Sequence, residues 1–467
     1  MMGIQIVILW SDLLIWLLVA AGIGVGLLIA RDPPLLSAWR RVGANRVGMA
    51  SATVLLAFIV IGLLDSLHYR VALEGKPGQK VQYAIEVLSL LDAVATPLRT
   101  RSEKTYSEPF ATRLYAKETI DVPGRGSVRD YPRLKHGGLH LGEREDEVVA
   151  DASFTAFRAG VLAFLGWLAV AGVASAVVGR GDSTAASGWQ KIWRGETAFA
   201  WNAVLLTLGL MLLVAVPLFW LSGQYHVFGT DKVGQDVLYQ ILKSVRTGLI
   251  IGLVTTLVML PVAVLLGIVA GYFRGWVDDV IQYLYTVLNS IPGVLLIAAA
   301  VLMMQVVIDT HPQWFSTAAE RADLRLLALC FILGITSWTG LCRLLRGETL
   351  KLRELEYIQA AQAFGVSNWR IIVRHILPNL MHIVIIALVM DFSGLVLAEA
   401  VLSYVGIGVD PSMTSFGTMI NNARMELGRE PVVWWSLAAA FAAMFILVLA
   451  ANLFADAVRD AFDPRAA

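Results

Sequence analysis

Long apolar runs separated by polar segments dominate the pattern of this chain. A hydrocarbon core about 30 Å thick needs roughly 20 apolar residues of helix, because lipid offers no hydrogen-bond partner to an exposed backbone. The runs of suitable length lie at residues 4–30, 47–67, 154–178, 198–221, 247–272, 280–307, 326–345, 380–404 and 432–454. The pattern therefore predicts an all-α polytopic membrane protein with about nine transmembrane helices.

Positive charges in the polar segments indicate how the predicted spans are oriented. Arginines crowd the first loop between residues 31 and 46, which places that loop in the cytoplasm by the positive-inside rule. Counting spans forward from there, the long polar stretch that begins at His68 falls outside. The basic segment 343–374 falls inside, so two basic loops lie on the same predicted side.

Composition supports a membrane protein and argues against a nucleic-acid-binding one. Hydrophobic residues make up 57% of the 467 residues and charged residues only 16%, whereas soluble domains are about a quarter charged. The net charge of +1 creates no field that would attract nucleic acid. We therefore expect membrane lipid, and no nucleic acid, around this chain.

The segment 356–378 has the pattern of a helix–turn–helix between two spans. Ala360 and Ala361 lie in a run of good helix formers and leave a smooth surface that can approach another protein closely. Gly365 suits the left-handed position that ends a helix, and Ser367 is placed to cap the next one. Pro378 closes the segment.

This segment resembles the EAA loop of the permease subunits of bacterial ABC importers. In that family a short helix with Glu-Ala-Ala, then Gly, then Leu-Pro, docks on a separate ATPase and couples its closure to the membrane. The residues that the resemblance assigns to ATPase coupling are Gln359, Ala360, Ala361, Phe364, Gly365, Leu377 and Pro378. Gln359 stands where the family usually has Glu, so an ion pair with the ATPase is not implied at that point.

Further segments resemble the dipeptide and oligopeptide permeases of the C type. They lie at 228–236, 271–279, 290–293, 397–408, 415–417 and 456–464. The resemblance implies a multi-pass protein of the bacterial inner membrane that forms a heterodimer with a second permease subunit. It also implies two ATP-binding-cassette ATPase domains, an extracytoplasmic substrate-binding protein and a peptide-like substrate. ATP and magnesium would bind to the ATPase, with no cofactor in this chain.

The resemblance also divides the chain into predicted regions. The core of six spans follows an N-terminal extension and an extracytoplasmic insert. The regions are an extra transmembrane helix at 1–34, an interfacial helix plus a span at 35–67, the polar insert at 68–153, a span and cytoplasmic linker at 154–198, and the permease domain at 199–467 with its coupling loop at 347–379.

Two groups of residues outside the coupling loop are candidates for function. The extracytoplasmic candidates for contact with a binding protein are Asp231, Asp236, Ser415, Phe416 and Gly417, although the two aspartates could instead cap a helix start. Asp391 and Glu399 lie at membrane depth, where ionisable groups are costly. They would line the translocation pathway or pair with a neighbouring subunit.

The lack of catalytic sequence motifs predicts a protein that is not an enzyme. The sequence contains neither Gly-x-Ser-x-Gly nor His-Glu-x-x-His, no clustered cysteine ligands and no phosphate-binding Gly-x-x-x-x-Gly-Lys motif. We therefore assign no catalytic residues and no metal site. A secondary transporter and a membrane scaffold whose insert binds a partner remain as alternatives, and the substrate class (dipeptide, oligopeptide, nickel chelate or other cargo) stays open.

Overall fold

The computed structural model describes residues 4–73, 82–122, 126–142, 144–179, 185–315 and 317–462. In this part of the chain, nine helical segments are long and apolar enough to cross a membrane. They are Trp10–Ile29, Arg46–Asp65, Glu145–Val178, Trp201–Leu221, Val237–Phe273, Gly293–Thr310, Ala318–Arg353, Asn368–Val405 and Trp435–Phe462. The predicted polytopic architecture is thereby confirmed. Residues 463 and 464, which end the C-terminal motif, lie outside the described residues.

Helices account for most of the described chain. Those up to the fifth span are α1 Trp10–Ile29, α2 Pro33–Ala44, α3 Arg46–Asp65, α4 Leu90–Val94, α5 Thr96–Thr100, α6 Val148–Val178, α7 Ala185–Arg194, α8 Trp201–Leu221 and α9 Val237–Phe273. Those that follow are α10 Trp276–Ser290, α11 Gly293–Thr310, α12 Ala318–Ser337, α13 Thr339–Arg353, α14 Glu356–Ala363, α15 Asn368–Ile371, α16 Leu377–Val405, α17 Phe416–Glu426 and α18 Trp435–Phe462.

Two small antiparallel sheets accompany the helices, and the sequence pattern did not predict them. The strands are β1 Ile4–Val7, β2 His68–Val71, β3 Leu88–Ser89, β4 Glu118–Val122 and β5 Gly126–Asp130. The first sheet has the order β1-β2-β3, and β4 pairs with β5 as a hairpin. Ile4 lies opposite Val71 and Val7 opposite His68. The start of the first apolar run is therefore a strand, rich in β-branched residues, and not part of the span.

The sixth predicted run, 280–307, is not one helix. It divides into α10 and α11, and only α11 has the length and composition of a span. Pro292 lacks an N–H group and disfavours helical geometry at the residue before it, and Ile291 has extended φ and ψ of −94° and 132°. The prediction of a single span at 280–307 was wrong because apolarity alone does not show a helix break.

The chain divides into two compact units. The first comprises Met1–Ile8, Leu27–Thr247 and Thr414–Phe454, and the second comprises Leu9–Gly26, Gly248–Met413 and Ala455–Ala467. In the second unit, a core of buried aliphatic and aromatic side chains surrounds Ile358 and Leu345, which are fully buried. This core supports the segment that follows α13.

In the first unit the polar insert is packed against later parts of the chain. The backbone N–H of Ser107 donates to Thr230 Oγ1 at 2.7 Å, and Tyr115 Oη donates to the carbonyl of Val432 at 3.0 Å. The indole N–H of Trp435 donates to the carbonyl of Thr230 at 3.0 Å. Because these contacts join segments more than 100 residues apart, the insert is a folded part of the first unit.

Candidate functional site

The predicted coupling segment forms a helical hairpin that we call the α14–α15 hairpin (residues 354–376). Helix α14 ends in a left-handed turn at Gly365, where φ is +74°. The N–H of Val366 donates to the carbonyl of Ala361, and the N–H of Gly365 donates to that of Gln362. These two hydrogen bonds form a Schellman motif, and they confirm the prediction that Gly365 ends the helix.

Buried apolar side chains hold the hairpin against the rest of the second unit. Ile358 on α14 and Ile371 at the end of α15 are fully buried, and Ile376 is buried at the end of the short π-helical turn Ile372–Ile376. The carboxyl side of this turn continues into α16, where Pro378 occupies the first turn and has no N–H to donate. Ser367 lies at the amino end of α15, but its side chain makes no capping hydrogen bond.

A tyrosine ties both halves of the hairpin to the fifth span. Tyr272 Oη donates to Asn368 Oδ1 at 3.0 Å and accepts from Gln362 Nε2 at 3.3 Å. Arg353 Nη1 donates to the carbonyl of the same tyrosine at 2.7 Å. The hairpin therefore has a fixed position relative to α9 within the second unit.

The other face of the hairpin is exposed. The side chain of Phe364 is 87% exposed and that of Trp369 is 68% exposed, while Gln359 and Ala360 are also exposed. Large aromatic side chains this accessible, beside small alanines, form a surface suited to a partner protein. The structure thus brings five of the seven predicted coupling residues together around one turn. Leu377 (half-buried) and Pro378 (exposed) lie at the start of α16 instead.

Gln359 has a local role that the sequence did not suggest. Its Nε2 lies 3.3 Å from the carbonyl oxygen and 3.4 Å from the Oε2 of Glu354. Glu354 is itself paired with Arg274. A glutamate at position 359 would face the carboxylate of Glu354, and this repulsion favours the neutral amide at this position.

Close helix packing connects the hairpin to the membrane spans. A Cβ atom built on Gly267 would lie 2.8 Å from the carbonyl oxygen of Cys342, and one on Gly271 would lie 2.6 Å from Thr349 Cβ. The two glycines are four residues apart on α9, the spacing typical of helices whose backbones approach closely in membranes. Gly271 is thus a packing residue within a helix.

An ion pair reinforces the same region. Arg346 on α13 donates to both carboxylate oxygens of Asp278 on α10, at 2.6 and 2.7 Å. These bonds lower the pKa of Asp278 below its ordinary value. Because paired N–H···O bonds fix the relative orientation of two groups, this bond holds α10 against α13.

Span parity and the positive-inside rule together predict that the α14–α15 hairpin lies on the cytoplasmic side. The hairpin lies between the seventh and eighth of the nine spans in the described chain. The segments 66–144, 222–236 and 406–434 are separated from one another by even numbers of spans and so share the other side. The contacts of the insert with Thr230 and Val432 agree with this count. Positive charge in the first loop assigns the hairpin side to the cytoplasm.

Comparison with known proteins gives the family. A family profile described as "binding-protein-dependent transport system inner membrane component" matches residues 263–467. A glutathione transport system permease protein of Pectobacterium atrosepticum is 31% identical over 309 residues, which cover 61% of this chain and 93% of that relative. The chain belongs to this family of inner-membrane permeases.

Two further relatives agree with this assignment. The dipeptide transport system permease protein of Lactococcus lactis is 31% identical over 241 residues, covering 52% of this chain and 64% of the relative. The oligopeptide transport system permease protein of Mycobacterium tuberculosis H37Rv is 31% identical over 242 residues, covering 52% of this chain and 77% of the relative. The protein is therefore a multi-pass permease subunit of an ABC importer in the inner membrane, as predicted.

The acidic residues predicted at membrane depth in this permease have different environments. Asp391 lies halfway along α16 and is half-buried. Glu399 lies two turns further on, is only 2% exposed, and accepts a hydrogen bond of 2.5 Å from Ser403 Oγ. Because Glu399 is buried, it packs inside this chain, whereas the half-buried Asp391 is partly exposed at the surface of α16. Their predicted part in translocation or subunit pairing stays a prediction.

The residues predicted to contact a binding protein are mostly buried in the permease. Ser415 caps α17 and exchanges hydrogen bonds with Thr418, and Phe416 is buried next to it, as is Gly417. Asp236 accepts from the N–H of Leu238 at 2.8 Å at the start of α9. The helix-capping alternative is thus confirmed for Asp236, and the contact with a binding protein stays a prediction.

Asp231 has a different environment. It is half-buried, and its carboxylate accepts from the backbone of Val233 and Gln235 and from Gln240 Nε2 at 2.6 Å. These bonds stabilise the loop before α9, so Asp231 does not cap a helix. Burial raises the pKa of Asp231 above its ordinary value, despite these hydrogen bonds.

A buried charged cluster, absent from the sequence predictions, holds the insert of the permease in place. Glu103 accepts from the backbone N–H groups of residues 135–137, and its Oε1 lies 3.4 Å from His226 Nε2. His226 Nδ1 lies 2.8 Å from Asp236 Oδ2. We call these three residues the Glu103 cluster. Glu103 and His226 are 123 positions apart, so no local motif marks them.

The cluster strongly shifts two pKa values. Burial alone would lower the pKa of His226, but the hydrogen bonds and charges of Asp236 and Glu103 raise it to about 9. Burial alone would also raise the pKa of Glu103, but the bonds from His226 and the backbone lower it to about 2. At neutral pH the cluster therefore contains a charged imidazolium at His226 beside an ionised Glu103.

The attachment of the insert is expected to depend on pH. The stabilisation by His226 is complete below its ordinary pKa of 6.5 and is lost as pH rises through about 9. The stabilisation by Glu103 is complete above its ordinary pKa of 4.5 and is lost as pH falls through about 2. Hydrogen exchange of residues 101–115 should be slowest between about pH 4.5 and 6.5, after correction for intrinsic rates, and faster at pH 9.5.

A variant provides the control for this pH dependence. His226→Gln removes the imidazolium and should make the corrected exchange rate nearly independent of pH between 6 and 9.5. If wild type and variant show the same dependence, the titrating group lies elsewhere.

Proposed function

We propose that this permease forms, with a second and similar permease subunit, the translocation pathway of an ATP-driven importer for small peptides. The observation that carries the proposal is the α14–α15 hairpin, whose apolar side is anchored in the second unit while Phe364 protrudes into solvent. Such a surface requires a partner on the cytoplasmic side. A cleft in an ABC ATPase is the partner that the family supplies.

The coupling mechanism follows from the contacts of the hairpin. Closure of the ATPase domains displaces α14, and Tyr272 and the glycine packing at Gly271 transmit this displacement to α9 and α13. The spans then move as rigid bodies between outward-open and inward-open arrangements. In this proposal Gln359, Ala360 and Phe364 contact the ATPase, while Ala361 and Gly365 shape the turn.

The energy source and cofactors belong to partner subunits in this proposal. Two ABC ATPase domains bind ATP and magnesium and hydrolyse the nucleotide. This chain acts without a cofactor and without catalytic residues, as expected of a subunit that has no phosphate-binding motif in its sequence. An extracytoplasmic binding protein delivers substrate to the side on which the insert lies.

Small peptides are the substrate class that the relatives favour. The three relatives are named for the transport of glutathione, dipeptides and oligopeptides, which all contain peptide bonds. Asp391 is the acidic residue at membrane depth that remains accessible, so we assign it to the pathway. The buried Glu399 supports α16 near its outer end.

Reconstitution tests the proposed function. The permease is purified together with its second permease subunit, ATPases and binding protein, and the complex is placed in proteoliposomes. ATP-dependent uptake of labelled dipeptides and tripeptides is then measured. We expect uptake that requires every subunit, and a complex that transports only non-peptide cargo would contradict the substrate class.

Two substitutions at Gly365 separate backbone geometry from side-chain contact. No atom lies within 4 Å of a Cβ built at this position, so a side chain fits, but φ is +74°. Valine in left-handed geometry costs roughly 1–2 kcal/mol, whereas asparagine adopts it routinely. Gly365→Val should reduce uptake several-fold, and Gly365→Asn should retain most of it. Equal uptake by the two variants would show that the turn geometry is not required for coupling.

A further inference from the structure

The break between α10 and α11 lies at the centre of one membrane crossing. The two helices cover residues 276–310 except for Ile291 and Pro292, which stand in the middle of that stretch. At ~1.5 Å per helical residue, the helices extend roughly 23 and 27 Å from the break in the two directions. The hydrocarbon core reaches only about 15 Å to either side of its midplane. The break is therefore inside the hydrocarbon region when the two helices cross together.

Contacts with the seventh span show that α10 and α11 do cross together. The ion pair between α10 and α13 lies near the cytoplasmic end, and further along Asn289 Oδ1 accepts from Thr339 Oγ1 at 3.1 Å. Towards the outer end, Arg325 of α12 pairs with Asp309 of α11. Residue numbers rise along α10 and α11 as they fall along the seventh span, so the two segments run antiparallel over most of their length.

Polar groups surround the break and are accessible. The exposed residues are Thr286, Asn289 and Ser290 at the end of α10, followed by Ile291 and Pro292. Backbone that leaves helical geometry at this depth must be covered by protein or line a water-filled cavity, because lipid offers it no hydrogen-bond partner. This rule excludes lipid as the neighbour of the break and favours an aqueous pathway.

An open cavity lies beside the break, between α10 and α13. It has a volume of about 500 Å³, within the range of ~300–1,000 Å³ typical of sites for small molecules. It is lined by Tyr285, Thr286, Asn289, Ser290 and Arg343. Each of these side chains can form hydrogen bonds. The cavity is therefore polar, although it adjoins apolar spans.

The charge that points to a ligand is that of Arg343. This residue lies about 11 Å from the middle of the 36-residue seventh span, within the hydrocarbon thickness. Among the described residues, no carboxylate pairs with its guanidinium, which instead lies 5.2 Å from the ring centre of Tyr285. Arg346, one turn away, is satisfied by both oxygens of Asp278. A charge at membrane depth without a protein partner is typical of a substrate or ion pathway.

Asn289 supplies a second hydrogen-bond donor. Its Oδ1 is used by Thr339, and within the described part of the chain nothing accepts from its Nδ2. The hydroxyl groups of Thr286 and Ser290 donate to carbonyls of their own helix at 2.7 Å, so their oxygen atoms remain as acceptors. The guanidinium and the amide match a carboxylate, and the hydroxyl oxygens match the N–H groups of a peptide backbone.

We propose that this cavity binds the C-terminal carboxylate of the peptide during its passage, and that Arg343 is the residue that recognises it. The proposal rests on the proposed function, since it takes the imported peptide as its ligand. A planar guanidinium donates two parallel hydrogen bonds to a carboxylate, and the ring of Tyr285 favours the cation beside it. Peptides with a free C-terminus are therefore preferred in the pathway over their C-terminal amides.

Protection of an introduced cysteine tests whether the cavity contains water and binds a carboxylate. The complete importer with Ser290→Cys is placed in lipid nanodiscs without binding protein, and its reaction with a positively charged, membrane-impermeant thiosulfonate is timed. The two native cysteines are buried, so the new thiol should react much faster than the wild-type protein. A tripeptide with a free carboxylate should protect this thiol at a concentration about 10-fold below that of its C-terminal amide. An unreactive thiol, or equal effects of the two peptides, would overturn the proposal.

Substitutions of Arg343 separate recognition of the carboxylate from a structural role. In the Ser290→Cys background, Arg343→Gln should raise the protecting concentration of the free tripeptide about 10-fold and leave that of the amide unchanged. Arg343→Lys keeps the charge and should retain part of the preference. Arg40→Gln, at an exposed arginine of α2 on the same predicted side, is the matched control and should change neither value. If Arg343→Gln weakens protection by both peptides equally, the role is structural and the site is refuted.

Uptake by the wild-type importer distinguishes failure of this site from failure of the proposed function. If the free tripeptide is taken up but does not protect the cysteine, the carboxylate site is refuted and the proposed function stands. If no peptide is taken up, the proposed function fails and this proposal fails with it. If Ser290→Cys resists the reagent and cross-links to the second permease subunit, the cavity is part of a subunit interface, which also refutes the site.

Discussion

Phe364→Asp should abolish ATP-dependent peptide uptake, to below about one tenth of the wild-type rate. The side chain of Phe364 is 87% exposed in this chain and makes no part of its core. The substitution therefore leaves folding of the permease intact. In the assembled importer the same ring would be buried against the ATPase, and loss of an aromatic anchor at an interface typically costs more than ~2 kcal/mol. An aspartate would in addition be desolvated there.

Uptake and co-purification of the ATPase are the measurements for this variant. Ile85→Asp is a matched control, because Ile85 is 88% exposed and lies in the insert on the other side of the membrane. The control should assemble with the ATPase and retain uptake. Normal uptake by Phe364→Asp would show that coupling does not require contact between the ATPase and Phe364.

Glu103→Ala should detach much of the insert from the rest of the first unit. The carboxylate accepts hydrogen bonds from three backbone N–H groups, which would lose this partner. The charged His226 would keep only Asp236 as a partner. Removal of one member of a buried charged network typically costs about 3–5 kcal/mol. We expect rapid proteolysis within residues 101–140.

An exposed ion pair of the insert provides the comparison. Glu86 is paired with Arg99 on the surface, where its side chain is 68% exposed. Exposed pairs contribute about 0–1 kcal/mol, so Glu86→Ala should leave the proteolysis pattern unchanged. If Glu103→Ala behaves in the same way, the Glu103 cluster is not what holds the insert.

The spans and the hairpin were predictable because their signals are local. Twenty apolar residues in sequence must form a helix in lipid, and Gly365 follows directly on a run of helix formers. The same reasoning misplaced the limits of two runs. Pairing of Ile4–Val7 with His68–Val71 depends on a segment beyond two further spans, and the break before Gly293 depends on Pro292.

The Glu103 cluster was not predictable for the opposite reason. Glu103 and His226 gain their roles only when segments more than 100 residues apart meet, and each stands in an ordinary polar context in the sequence. Gly234 gave a partial signal, since it lies in a motif of the related permeases. Its φ is +76°, and a Cβ there would lie 1.9 Å from the carbonyl oxygen of Glu103, so the loop accepts the insert only with glycine at this position.

The close packing of Gly267 and Gly271 against α13 couples any movement of α13 to movement of α9. Where two helices touch through their main chains, no layer of side chains lies between them that could change rotamer and absorb a displacement. Tilting of α13 must then be accompanied at once by tilting of the cytoplasmic end of α9. In the proposed mechanism, these two spans would therefore begin to move together with the nucleotide-driven displacement of the hairpin, without a delay between them.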